Sequence, residues 1–254
     1  GSASRPYLER LLQGANARLR ILLTLQPLAE VERGLKHCSD TPGFGGQRAM
    51  LRGVEAFVRY ERNELSNVRE VLDEAMPLLP GQGIVDAIVL GFTAAARMRA
   101  ATGDLGAALD ILSEGERSGM ERNFRKLSVS LRAERALVLA RTGATGQARM
   151  LATPSSLGLA TPSSLGDEQK ASAAGIVFDR IGRLRARLDI AEGEPARALQ
   201  TLAAPLAHAR AAGQRYKLSE LLLLFAIAED ALEHEASAFA LLREALEIGR
   251  SEYY

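Results

Sequence analysis

Residues 186–202, ARLDIAEGEPARALQTL, decide the fold. Ala186 and Ala198 are small residues twelve positions apart; Gly193 and Pro195 lie between them, and Leu202 follows four residues past Ala198. Glycine suits the left-handed residue that closes a helix, and proline suits the first turn of the next one. The stretch therefore predicts a helical hairpin. Two antiparallel helices approach closely only where the facing side chains are small, and a Leu one turn further on fills the space beside that contact.

The same register recurs outward from this hairpin. Ala56, Ala96, Ala136, Ala186 and Ala226 hold the first small position, and Val68, Ala108, Ala148, Ala198 and Ala238 the second. Leu72, Leu112, Ala152, Leu202 and Leu242 hold the third, and successive copies stand 40 residues apart with one step of 50. The junctions Thr102-Gly103-Asp104, Thr142-Gly143-Ala144 and Glu192-Gly193-Glu194 fall between the small positions, and Asn63 and Glu233 take the place of the Gly in the other two copies. A period of this length signals stacked supersecondary units. First helices are predicted at 47–62, 84–102, 124–142, 171–192 and 215–232, and second helices at 66–78, 105–118, 145–152, 196–212 and 236–250.

The expected architecture is all-α: an α-solenoid of about six antiparallel hairpins, wound as a right-handed superhelix. Residues 1–4 read as a tag remnant, residues 5–46 as a degenerate first hairpin (helices 7–25 and 28–38, split at Gln26-Pro27) and a loop, and residues 47–254 as five repeats. The 50-residue step has a visible cause: LATPSSLG occurs twice in succession over 151–166, and its Pro and Ser density predicts a loop insertion at 153–169. It reads as a duplication tolerated at the surface rather than a lid. Thr41 to Gln47, with three glycines and a proline, is a second expected loop. On a last helix at 236–250, an uncapped apolar face would favour a dimer or a continuation of the array.

The formal net charge of +1 gives no steer toward nucleic acid or an anionic membrane. The longest apolar run, Leu221 to Ala228, is too short to cross a bilayer, and one cysteine, Cys38, allows no internal disulfide. A cytoplasmic protein fits both. No chemistry is legible. His37, His208 and His234 lack metal-ligand spacing, Gly43 to Gly46 lead into no phosphate-loop Lys-Ser/Thr, and no Ser, Asp or Glu stands in a nucleophile motif. The reading is a binding module without cofactor or metal, and not an enzyme.

Small residues twelve apart, flanking a Gly-Asp turn and followed by Leu, resemble the tetratricopeptide repeat (TPR), with two departures. The period is about 40, and Arg52, Phe92, Arg132, Gly182 and Leu222 occupy the usual Trp slot. A closer resemblance is to the long-period repeats of the MalT-like family of large bacterial transcription regulators of the LuxR type. It is carried best by the segment from Ala186 to Tyr254, which continues from the opening stretch through AAPLAHARAAGQRYKLSELLLLFAIAEDALEHEASAFALLREALEIGR, and more weakly by 47–152. Family members join an ATP-dependent switch domain, the repeats and a helix-turn-helix, and the repeats receive the inducer and control self-association. The resemblance implies that this chain is the sensor region, excised from its ATPase and DNA-binding domains.

The resemblance also implies that first helices line a concave face at fixed offsets from the register alanine. These offsets select Met50, Gly53, Phe57, Tyr60 and Glu61; Leu90, Thr93, Arg97, Ala100 and Ala101; and Ser130, Ala133, Leu137, Ala140 and Arg141. They then select Arg180, Arg183, Arg187, Ile190 and Ala191, and Glu220, Leu223, Ile227, Asp230 and Ala231. Arg180, Arg183 and Arg187 share one helix face, and Arg97 adds a fourth cation. Like charges on one wall call for a counter-charge, and guanidinium groups suit carboxylate or phosphate. The expected site is Arg97, Arg180, Arg183, Arg187, Thr93, Ser130 and Glu220, with Phe57, Tyr60 and Leu137 giving apolar contact. Its expected ligand is an anionic small-molecule effector or a peptide. The competing reading is a solvated Arg face paired with Asp179 and nearby Glu. A free-standing scaffold for a peptide or protein partner is the alternative function. No nucleic acid or membrane contact is expected of this chain.

Overall fold

A computed structural model describes residues 27–39, 43–153 and 174–253, and all eleven α-helices named below lie within them. No helix among the described residues is long and apolar enough to cross a membrane. The chain divides into two compact units, Gly1–Leu127 and Ser128–Tyr254.

In the first unit, α1 (Pro27–Ser39) packs on α2 (Gly45–Glu61), and α2 packs on both α3 (Val68–Ala75) and α4 (Val85–Ala101). Helix α5 (Leu105–Glu121) returns along α4, and α6 (Arg125–Arg141) begins at the end of this unit. The core has the composition that the register predicts. Ala56, Ala96, Val68 and Ala108 are completely buried, with Leu112, Ile88 and Phe92 equally buried around them. Phe92 stands in the slot where a tetratricopeptide repeat carries Trp, so the large residue is supplied here by another aromatic.

Helix α2 starts at Gly45, inside the stretch expected to be a loop. Gly46 lies so close to the Gln82 side chain that a Cβ there would collide with it. Gly46 thus permits a close approach, whereas Gly43, just before the helix, takes the left-handed φ of a turn at 91°. Helix α3 is shorter than expected, with 3-10 turns at Leu65–Asn67 before it and Leu79–Gly81 after it. Pro77 and Pro80 prevent the helix from running on, since each lacks an N–H and restricts the residue before it. The connection that results is clamped by Arg122, whose guanidinium donates to the carbonyls of Pro80, Gly81 (3.3 Å) and Gln82 (2.9 Å) and lies 4.5 Å from the Phe124 ring centroid. Buried Glu55 is held by Arg52 at 2.7 Å and Arg59 at 2.9 Å on its own helix. Burial alone would lower the Arg52 pKa, but hydrogen bonds and charge from Glu55 and Glu74 raise it above the ordinary guanidinium range.

In the second unit, α7 (Thr145–Leu151) packs on α8 (Ala174–Ala191), which pairs with α9 (Pro195–Ala211). Helix α10 (Arg215–Asp230) packs on α8 and α9, and α11 (Glu235–Tyr253) pairs with α10. Ala186, Ala198, Leu202, Leu222 and Ala228 form the centre of one continuous cluster with Leu206, Leu221, Leu224 and Ala245. Arg149 ties α7 to the end of α8, bonding Asp189 at 3.0 Å and Glu192 at 2.5 Å; these bonds raise its pKa. The expected helix at 7–25 lies outside the described residues, as does nearly all of the expected insertion at 153–169.

Each hairpin turn uses the left-handed residue that the register marks. Asn63, Gly103, Gly143, Gly193 and Glu233 have φ between 59° and 84°. At each, its N–H and the next one bond back into the closing helix, as Gly193 to Ile190 O (3.1 Å) and Glu194 to Asp189 O (2.8 Å) show.

Candidate functional site

The residues selected as inward-facing fall into two groups, one in each unit. In the first, α2 carries Phe57, Tyr60 and Glu61, and α4 carries Thr93 and Arg97. Phe57 and Thr93 are buried between helices, Thr93 completely, so neither lines an open surface. The Thr93 hydroxyl has no hydrogen-bond partner among the described residues. Tyr60 is half-buried. Arg97 spans the two helices: Nη1 donates to Glu61 Oε1 at 2.6 Å, and its guanidinium carbon lies 5.9 Å from the Phe57 ring centroid.

In the second unit, Ser130 and Leu137 of α6 are buried, so neither lines an open surface. Arg180 lies in α8, with its side chain outside the described ones. Arg183 and Arg187, one turn apart on α8, converge on Glu220 of α10. Arg183 Nη1 pairs with Glu220 Oε2, and Arg187 Nη2 lies 3.8 Å from Glu220 Oε1. Leu223 and Ile227 follow Glu220 on α10 at helical spacing, 41% and 49% exposed.

The counter-charges for Arg97, Arg183 and Arg187 are thus supplied by the chain itself, through Glu61 and Glu220. Both carboxylates sit in the same inward register as the arginines, and so do Leu223 and Ile227. That register was the signal for all four, although it cannot say which of its positions a neighbouring helix covers. What remains accessible in the second unit is a surface of mixed character, with two guanidinium groups and one carboxylate beside two exposed aliphatic side chains.

Cys38 is buried, and burial pushes its thiol pKa up while Arg48 opposes the shift. It is therefore a packing residue held as the neutral thiol at neutral pH.

The chain matches the family described as the MalT-like TPR region, over residues 26–254. Neither a curated protein nor a solved structure gives a significant match. The matched span takes in every described hairpin, and its register alanines, left-handed turns and buried small pairs are those of a tetratricopeptide-like array. The chain belongs to the MalT-like TPR family.

Proposed function

We propose that the chain is the effector-sensing and protein-interaction region of a bacterial LuxR-type transcription regulator, working in the cytoplasm as one part of a larger protein. The family match supports the regulator setting. The observation that carries the sensing role is the surface of α8 and α10, where Arg183 and Arg187 share Glu220 beside exposed Leu223 and Ile227. An anionic group that takes the place of Glu220 keeps both guanidinium groups paired with a negative charge. Guanidinium groups then grip it in a fixed plane, while the aliphatic pair covers the apolar body of the ligand. The ligand class is an amphipathic anion, either a carboxylated or phosphorylated metabolite or an acidic peptide segment.

The test is calorimetric titration with hits from a thermal-shift screen of carboxylated and phosphorylated metabolites. Arg183→Ala and Arg187→Ala should each weaken binding by about tenfold or more, as loss of a charge-assisted hydrogen bond does. Glu220→Gln should strengthen it, because the internal competitor loses its charge. Affinity unchanged in all three variants sinks the site. The exposed Leu223 and Ile227 also suit a scaffold that holds a peptide or protein partner. Capture of an acidic peptide with no metabolite binding would favour that second reading.

A further inference from the structure

Further along each second helix, the described copies of the repeat carry Ala75, Gly115, Pro205 and Ala245 at one shared register position. Ala75, Gly115 and Ala245 are small and buried. Pro205 is the departure, and it stands in the interior of α9. A proline there has no N–H for the carbonyl one turn back, so Thr201 O loses the donor that would otherwise bond it. No residue is less favourable in a helix interior. The Thr201 hydroxyl loosens the same region: it donates to Arg197 O at 3.0 Å, a back-bond that weakens and bends helices. Ser113 makes such a bond to Leu109 O in α5, but Gly115 keeps its N–H there.

The two halves of α9 are fastened to different neighbours. Before Pro205, Arg197 Nη1 lies 3.7 Å from buried Asp189 of α8. After it, Arg210 donates to Glu244 of α11 at 2.5 Å, and the Gln214 N–H bonds Ala209 O at 3.0 Å in the turn into α10. Glu220 then ties α10 back to α8 through Arg183 and Arg187, across the weak point of α9. Leu202 and Leu206, on either side of Pro205, share one apolar cluster with Leu221 and Leu222, which limits any movement to a pivot. We propose that Pro205 is a hinge in α9 held by Glu220: when an anion takes the place of Glu220 on the two arginines, residues 206–211 pivot with α10 against α8. The hinge rests on the reading of the α8 and α10 surface as the effector site, and adds the movement that reports its occupancy.

Hydrogen exchange of the ligand-free chain, read by mass spectrometry, tests it. Pro205→Ala supplies the residue type of Ala75 and Ala245 together with its N–H, so the variant keeps its fold. It should slow exchange across 206–211 by about tenfold or more while α8 keeps its rates. Glu220→Gln should speed exchange across 206–211 by about threefold to fivefold, the scale of one lost charge pair. Added to Pro205→Ala, it should have no such effect, because the hinge is gone. A Pro205→Ala variant that exchanges at parent rates across 206–211 overturns the proposal. So does Glu220→Gln that changes nothing in the parent chain, or that acts equally in both backgrounds. These readouts need no ligand, whereas the effector reading stands or falls on the titration, so the two failures are told apart.

Discussion

Glu233 turns the chain from α10 to α11 with a φ of 62°, in the left-handed region. Its counterparts in three other hairpins are Gly103, Gly143 and Gly193, and in a fourth Asn63. A Cβ in this conformation crowds the following carbonyl and costs about 1–2 kcal/mol, a cost that Gly escapes and Asn tolerates best. Glu233→Asn should therefore raise stability by a few tenths to about 1 kcal/mol, read as a shift in a urea denaturation midpoint. Gly103→Ala should lower it by about 1 kcal/mol, and the loss is purely conformational, because a Cβ there has nothing within 4 Å to collide with. A Gly103→Ala variant as stable as the parent would mean that this turn relaxes at no cost. These turn residues were legible because each stood at one fixed offset in the register. Glu233 was legible only by that offset, since its residue type gives no hint of a left-handed turn.

Between elements, α2 and α4 come into close backbone contact where they cross. A Cβ on Gly53 would lie 3.4 Å from Gly91 Cα and from Ala87 O, so the two backbones nearly touch. A Cβ on Gly91 would lie 3.3 Å from Gly53 Cα and would run into Leu79 Cδ2. Gly91→Ala should thus cost about 1–3 kcal/mol by overpacking. Leu79→Ala, at a completely buried site, should cost about 2–5 kcal/mol. The double variant should lose less than the sum, because the shortened side chain vacates the space that the added methyl group fills. Strict additivity in a double-mutant cycle would show that the helices separate instead. Gly53 stood in the inward register, but nothing in the spacing marked Gly91 or Leu79 as its neighbours. Their contact depends on a 3-10 turn that Pro77 and Pro80 impose between α3 and α4.

Across the whole molecule, stability follows from nearest-neighbour stacking. Each hairpin in a repeat array buries its apolar stripe only on adjacent elements, so a local fault weakens its own neighbourhood most. Gly91→Ala should lower hydrogen-exchange protection in α2 to α5 and leave α9 to α11 unchanged. An equal loss of protection in α9 to α11 would show that the two compact units unfold as one cooperative block. The ion pairs follow the same nearest-neighbour logic. Arg97 reaches Glu61 on the preceding first helix, and Arg183 and Arg187 reach Glu220 on the following one.

What the amino-acid sequence determined by itself is the repeat: five alanines in phase, their small partners twelve residues on, and a left-handed residue between them. That information is local. Helix period, cap chemistry and side-chain size act within one hairpin, and repetition multiplied the signal until chance could not imitate it. Tertiary structure alone decided which inward positions stay open and what the arginines hold. Phe57, Thr93, Ser130 and Leu137 share an offset pattern with Ile227, yet the four are buried and Ile227 is half exposed. For Phe57 and Thr93 the cause is the packing of α2 on α4, which periodicity within a helix does not encode. The counter-charges at Glu61 and Glu220 stand 36, 37 and 33 residues from Arg97, Arg183 and Arg187. Those pairs exist because stacking brings distant turns within hydrogen-bond or ion-pair reach, a distance fixed by packing in space and not by position along the chain.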